Sequence, residues 1–303
     1  MALSYGSGPR LLLVDGHAYA YRSFHAIRGL SAPDGFPTNA IYGFVKSARK
    51  LRELLRPTHI ATVWDGGLAP ERVSLLPEYK ANRPPMPDAL ERQLDQMMAW
   101  LEAEGIPSIC CHGVEADDAI ATLARSAEKA GMNVVIASSD KDFGQLVSDR
   151  IGLINPNDKS GAILTPADIV ERTGVRPEQI VDWLSLVGDS VDNIPGVPGV
   201  GEKTAATLLQ KFGDCERLFA RIEEVEPVRL RDLLRGAAET VRRNQQMIRL
   251  NDSVPLGVGP EGLCPREPRP DELRRLYSRW GFKSLLAELD ENLANTAQGT
   301  LFN

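Results

Sequence analysis

Leu11-Leu12-Leu13-Val14-Asp15-Gly16 is a short run of large apolar side chains that stops on a carboxylate and a glycine. The pattern returns twice. Ile60-Ala61-Thr62-Val63-Trp64 stops on Asp65-Gly66, and Val134-Val135-Ile136-Ala137 stops on Ser138-Ser139-Asp140. A strand with one wet face alternates apolar and polar residues, whereas continuous apolar runs mark strands covered on both faces, as in parallel sheets. Helical patterns separate the runs, over residues 40–55, 90–104 and 117–130. Strands alternating with helices predict an α/β fold with a mostly parallel, doubly wound central sheet over residues 1–164.

In such sheets, ligands sit beyond the carboxyl ends of the strands. Asp15, Asp65 and Asp140 all fall at that edge. One aspartate after a strand is ordinarily a turn or a helix cap, but three on one edge ask for another reason. Further carboxylates join them. Glu115, Asp117 and Asp118 open a helix, Asp142 follows Asp140, and Asp189 and Asp192 lie in Gly188-Asp189-Ser190-Val191-Asp192. Helix capping and the helix dipole account for one or two acids at an N-terminus, not for the whole set. Nine carboxylates converging on one cleft repel each other strongly. A hard cation relieves this, and all-oxygen ligation suits Mg²⁺, with Mn²⁺ as substitute. Two such ions about 4 Å apart suit an in-line attack of water on phosphorus.

The rest of the composition narrows the field. At 303 residues the chain is long enough for one large α/β domain or two modest ones. The formal net charge of −6 argues against a nucleic-acid binder if read alone. Without the nine clustered acids the remaining charge is +3, so the acidity belongs to the cleft and not to the rest of the surface. Cys110, Cys111, Cys215 and Cys264 form no CxxC pair, and the four histidines (His17, His25, His59, His112) have no His-x-x-x-His spacing. A zinc centre and a disulfide framework are therefore not indicated. No apolar run reaches the ~18 residues of a membrane span, and the first ten residues lack a signal-peptide core. The expected location is the cytoplasm, associated with the nucleoid, with no membrane contact and a monomeric state.

Residues 70–90 interrupt the α/β rhythm with Arg72, Tyr79, Lys80, Arg83 and the prolines Pro84, Pro85 and Pro87, and read as a mobile insertion. From about residue 165 the pattern is helical, without a convincing strand. Residues 257–270 form a Pro/Gly-rich connector, residues 271–289 an amphipathic helical region, and residues 291–303 a flexible tail. Gly196-Val197-Pro198-Gly199-Val200-Gly201-Glu202-Lys203-Thr204 superficially suggests a nucleotide phosphate loop. It fails that pattern, because Glu202 stands where lysine is needed and the preceding sequence is helical. It reads better as a turn between two helices whose N–H groups meet a DNA phosphate. A plain helical corner is the alternative. Arg229, Arg231, Arg235, Arg242, Arg243 and Arg249 read either as a solvated helix face or as a surface tracking duplex DNA.

These motifs together resemble the 5′ nuclease family, the flap endonucleases and the amino-terminal 5′–3′ exonuclease domain of bacterial DNA polymerase I. The residues that carry the resemblance are Val14-Asp15-Gly16, Trp64-Asp65, Tyr79-Lys80-Ala81-Asn82-Arg83, Glu115-Ala116-Asp117-Asp118, Asp140-Lys141-Asp142 and the stretch 188–201, over roughly residues 10–290. The resemblance implies that Asp15, Asp65, Glu115, Asp117, Asp118, Asp140, Asp142, Asp189 and Asp192 are the metal-site carboxylates. It places Lys80 and Arg83 as catalytic basic residues at the base of a helical arch at about residues 70–95. It implies DNA contacts at Arg22, Tyr79, Lys80, Arg83, Gly199, Gly201 and Lys203. The last three lie in a helix–three-turn–helix motif at about residues 179–212, within a helical DNA-binding region over residues 165–290, where relatives hold K⁺.

The implied activity is metal-dependent, structure-specific 5′–3′ exonuclease and flap endonuclease action on DNA with a 5′ flap, nick or overhang, in replication and repair. Gln298-Gly299-Thr300-Leu301-Phe302 resembles bacterial sliding-clamp peptides, with Gln298, Leu301 and Phe302 as anchors. That tail favours a stand-alone nuclease over an excised part of a longer polymerase. Two rivals remain. A small-molecule phosphohydrolase leaves the arch and the glycine turn without purpose. A non-catalytic DNA-binding accessory predicts missing acids, and none is missing.

Overall fold

The computed structural model describes residues 8–158 and 160–300. Its strands are β1 (Arg10–Asp15), β2 (His59–Trp64), β3 (Ser108–Cys110), β4 (Asn133–Ala137), β5 (Ile151–Ile154) and β6 (Ile163–Leu164), then a small pair, β7 (Gly188–Asp189) and β8 (Ile194–Pro195). The helices in the first half are α1 (Gly16–Ala26), α2 (Asn39–Leu55), α3 (Pro70–Leu75), α4 (Asp88–Ala103) and α5 (Ala116–Lys129). Those that follow are α6 (Pro166–Thr173), α7 (Ile180–Val187), α8 (Glu202–Phe212), α9 (Cys215–Ala220), α10 (Val228–Gly236), α11 (Ala238–Ile248), α12 (Pro270–Trp280) and α13 (Lys283–Thr300).

The main sheet has the order β3-β2-β1-β4-β5-β6. It is parallel from β3 to β5, and only β6 runs antiparallel. The chain moves from β1 outward to β2 and β3, then crosses back to β4 on the other side of β1. The order therefore reverses between β1 and β4, which is where doubly wound sheets open a crevice for ligands. Asp15 and Asp140 follow the two strands that flank that point.

Period-2 alternation splits each central strand between two apolar layers. Leu11, Leu13, Val63, Val134 and Ile136 face α5 and the helices from α6 to α11. Leu12, Val14, Trp64, Val135 and Ala137 face α1, α2, α4, α12 and α13. Both faces are covered, which is why the strands read as continuous apolar runs. The layer on the α4 side is closed by α12, whose Tyr277 hydroxyl accepts a hydrogen bond from Trp100 Nε1 at 2.9 Å.

Four differences from the sequence reading have physical causes. β3 is an edge strand with only Ile109 buried, so it carries no apolar run. Residues 70–90 are largely exposed but anchored: Arg72, Leu76 and Tyr79 are buried, and Arg72 is paired on several sides. The region after residue 165 does contain a strand pair. Gly188, at φ +83°, turns the chain out of α7, and Gly196 passes so close that a Cβ there would meet Val187 O at 2.1 Å. Finally, the flexible tail expected over residues 291–303 is helical as far as Thr300. Leu289 to Gln298 offers no proline or glycine to stop α13. Leu301 and Phe302, two of the clamp-peptide anchors, lie outside the described residues. The third, Gln298, falls near the end of α13.

Candidate active site

β1 runs out at Asp15, whose Oδ1 accepts the Ala18 N–H at 3.0 Å and so caps α1. Its Oδ2 accepts the Ser138 hydroxyl at 2.7 Å, across the point where the strand order reverses. Ser138 is fully buried, and its Oγ also accepts the Asp140 N–H at 3.1 Å. One hydroxyl thus locks two carboxylate-bearing strand ends together. Burial pushes the Asp15 carboxyl up to about 6, against its two hydrogen bonds, with Asp65 and Asp140 adding repulsion.

Asp65 follows β2. Its Oδ1 accepts the Ala116 N–H at the start of α5 at 2.8 Å. Its own N–H donates to His17 Nδ1 at 3.2 Å. Asp140 Oδ1 accepts the Asp142 N–H at 2.9 Å. Burial raises Asp140, with Asp192 and Asp189 adding to it, and burial raises Asp142 well above the carboxylate range beside Asp140. Asp142 Oδ1 is buried without a hydrogen-bond partner among the described residues. The small pair β7–β8 presents the remaining two acids. Asp189 Oδ1 accepts the Val191 N–H at 2.8 Å, and its Oδ2 faces Lys141 Nζ at 3.3 Å. Asp192 is bonded by Arg83 Nη2.

The start of α5 is organised by a residue that sequence reasoning gave no role. Arg72, from α3, is 5% exposed. Its guanidinium forks onto Asp118 (Nη1–Oδ2 2.9 Å, Nη2–Oδ1 2.8 Å) and also bonds Glu115. It then donates to the carbonyls of Met247 at 2.9 Å and Arg249 at 3.2 Å, which end α11. Glu115 is fully buried and also receives Lys80 Nζ. Burial alone would raise Glu115, but the Lys80 and Arg72 charges outweigh it and hold it below the usual range. Asp117 is raised well above that range, chiefly by burial, despite Arg72 nearby.

The carboxylate oxygens of Glu115, Asp117 and Asp118 come within 4.8 Å of one another. A cavity of about 650 Å³ opens beyond the strand ends. Asp15, Asp65, Asp117, Asp140, Asp189 and Asp192 line it, together with Lys80 and Arg83. Six of the nine carboxylates therefore line this one cavity. Glu115, Asp118 and Asp142 do not line it, and Glu115 and Asp118 are both bonded to Arg72. The donor set fits a hard divalent cation: the acids are all oxygen donors, four of them are pushed up by burial and mutual repulsion, and Asp142 Oδ1 has no partner among the described residues.

The expected DNA contacts divide. Lys80 and Arg83 reach the cavity from the segment 76–83, which Lys80 N–H anchors to Asp192 O at 3.0 Å. Tyr79 is buried, and its hydroxyl lies 3.3 Å from Glu115 Oε1 and 3.4 Å from Asp192 Oδ2. Tyr79 holds carboxylates and has no surface to offer DNA. Arg22 is half-buried on α1, two turns beyond Asp15. Gly199 and Gly201 are exposed just before α8, and Lys203 is exposed in its first turn. No side chain caps α8, and a Cβ at Gly201 would meet nothing within 4 Å, so the N–H groups at its start are open to approach. Of the six arginines 229–249, Arg231, Arg235 and Arg242 are paired with Glu223, Glu226, Asp232 or Glu239, which favours the solvated-face reading for those three.

The chain is similar to known proteins over most of its length. The family model for the 5'-3' exonuclease N-terminal resolvase-like domain matches residues 10–174, and that for the 5'-3' exonuclease C-terminal SAM fold matches residues 175–271. A 5'-3' exonuclease of Aquifex aeolicus is 36% identical over 293 residues, covering 96% of this chain and 99% of that protein. DNA polymerase I of Pseudomonas aeruginosa is 42% identical over 287 residues, and a thermostable DNA polymerase I of Thermus thermophilus is 40% identical over 279. The match covers 92% of this chain in both cases, and the chain spans about a third of the length of those polymerases. Among solved structures, T5 5'-exonuclease with bound divalent metal ions (zinc) superposes with a TM-score of 0.67 at 21% identity, covering 93% of this chain and 98% of that one. The catalytic core of Rad2 in complex with DNA substrate gives 0.61 at 18%, covering 91% and 88%. At these identities the two structures establish a shared fold.

Proposed function

The chain belongs to the 5'-3' exonuclease family, and from that premise we propose that it is a structure-specific 5′ nuclease that hydrolyses DNA phosphodiesters near 5′ ends, at flaps, nicks and overhangs. The observation that carries this reading is the set of six carboxylates that line one cavity together with Lys80 and Arg83. Mg²⁺ is the proposed cofactor, with Mn²⁺ as substitute, held by the carboxylates of the cavity wall. Bound there, it would supply a Lewis acid for phosphate oxygens and lower the pKa of a water.

The chain's own residues do the rest. Lys80 and Arg83 carry positive charge to the place where charge develops on the phosphate. Glu115, Asp192 and Tyr79 hold those two cations at their posts. Ser138 holds Asp15 and Asp140 in register. The turn between α7 and α8 offers main-chain N–H groups and Lys203 to a phosphate of the duplex, which positions the cleavage point without reading sequence. The same turn is the proposed K⁺ site. Gln298-Gly299-Thr300-Leu301-Phe302 is the proposed sliding-clamp peptide, and deletion of residues 298–303 is expected to abolish clamp binding while flap cleavage persists.

Cleavage chemistry tests the reading. With Mg²⁺, a labelled 5′-flap duplex is expected to yield products with 5′-phosphate and 3′-hydroxyl ends, and a covalently closed duplex without a 5′ end is expected to stay intact. Cutting both alike, or neither, contradicts it. Hydrolysis of small phosphate esters in place of DNA would favour the phosphohydrolase rival.

A further inference from the structure

His17 lines the carboxylate cavity but belongs to none of the motifs that point to nuclease chemistry. It sits in the first turn of α1, two residues after Asp15. Its ring packs edge-on against Trp64, the last residue of β2, with centroids 5.3 Å apart at 87°. The ladder between β1 and β2 ends with Asp15 opposite Val63. Beyond it, the Asp65 N–H has left the sheet, and His17 Nδ1 takes it at 3.2 Å. Asp65 Oδ2 lies 3.3 Å from the same Nδ1. Asp65 is thus fixed at its main chain by His17 and at Oδ1 by the Ala116 N–H. Ala116 takes Oδ1, and Oδ2 is the carboxylate oxygen left on the His17 side.

We propose that His17 is a positioning residue for Asp65: its Nδ1 extends the sheet by one side-chain hydrogen bond and so presents Asp65 Oδ2 to the metal. This rests on the reading of the cleft as a divalent-metal site. Groups that orient a metal-binding carboxylate commonly account for roughly 10- to 100-fold in metal affinity.

Two substitutions separate the hydrogen bond from the ring packing. His17→Asn keeps an acceptor at the δ position and loses the ring. His17→Phe keeps a ring against Trp64 and loses the acceptor. Three readouts apply: Mn²⁺ binding to the DNA-free protein by electron paramagnetic resonance, exchange of the Asp65 amide in metal-free protein by NMR, and the Mg²⁺ concentration for half-maximal flap cleavage. The expected result for His17→Phe is at least about 10-fold weaker Mn²⁺ binding, a faster-exchanging Asp65 amide, and a raised Mg²⁺ requirement with the rate largely recovered at saturation. His17→Asn is expected to restore amide protection and most of the Mn²⁺ affinity. Wild-type Mn²⁺ affinity in His17→Phe overturns the proposal, as does a His17→Asn protein as impaired as His17→Phe. Absence of saturable Mn²⁺ binding by the wild type overturns the metal-site reading, and this inference with it. If His17→Phe is unfolded by circular dichroism, His17→Asn decides alone: near-wild-type Mn²⁺ affinity and amide protection support the proposal, and their loss overturns it.

Discussion

Asp15 shows what the cleft costs the protein in the absence of a cation. Its carboxyl ordinarily titrates near 3.8 and is pushed up to about 6 in the fold. The folded state therefore holds a proton that the unfolded chain has already released between those values. Stability contributed by this group is full below about pH 4 and is lost as pH rises to about 6, by up to roughly 3 kcal/mol. Asp117, Asp140 and Asp142 are raised as well and act in the same direction. Asp15→Asn removes the Asp15 contribution. Urea unfolding in the presence of a chelator is expected to show the variant gaining on the wild type between about pH 4 and 6, with a constant gap above. Parallel stability curves across that range would contradict the assignment. At this scale the sequence was informative about acids and silent about their holders. Asp15, Asp65 and Asp140 are legible because each ends an apolar run. Ser138, Arg72 and His17 are not, because a serine after a strand, an arginine in a short helix and a histidine in a first turn look the same whether they face water or a carboxylate.

Two elements make the site out of separate parts of the chain. α3 delivers Arg72 to the start of α5 and to the end of α11, so one guanidinium ties three elements together. Removing one partner of a buried charge network commonly costs about 3–5 kcal/mol. Arg72→Ala is expected to lose that much in chemical unfolding, and Arg72→Lys to recover little, since an ammonium cannot make the two-bond fork on Asp118. A full recovery by lysine would show that the fork geometry is immaterial. The turn between α7 and α8 is the other element. Lys203→Glu is expected to weaken DNA binding across sequences and to reduce the magnitude of the log–log salt slope by about one. An unchanged slope would remove Lys203 from the interface. The helices were legible where amphipathic spacing is long, as in α2, α4 and α5. The strand pair β7–β8 was not, because two residues carry no period and the pair exists only through the backbone approach at Gly188 and Gly196.

For the whole molecule, a net charge of −6 first reads as a reason to doubt any nucleic-acid partner. The structure explains the conflict by location. Six acids line one cavity, three lie outside its lining, and the basic side chains paired with acids of the set are Lys80, Arg83, Lys141 and Arg72. The doubly wound sheet was legible because both of its faces are covered, and the reversal of strand order between β1 and β4 places Asp15 and Asp140 side by side. The return of α12 and α13 to the sheet layer was not legible, since their amphipathic pattern does not say which face they meet. The central claim is that this carboxylate-lined cavity is the catalytic centre of a 5′ nuclease. The most direct measurement compares the wild type with Asp140→Asn on a labelled 5′-flap duplex in Mg²⁺, both proteins being verified as folded. The expected result is cleavage near the flap junction by the wild type and a loss of at least about 100-fold in the variant, the scale of one group that acts on the transition state. Full-rate cleavage by Asp140→Asn, or no cleavage by the wild type, would contradict the account.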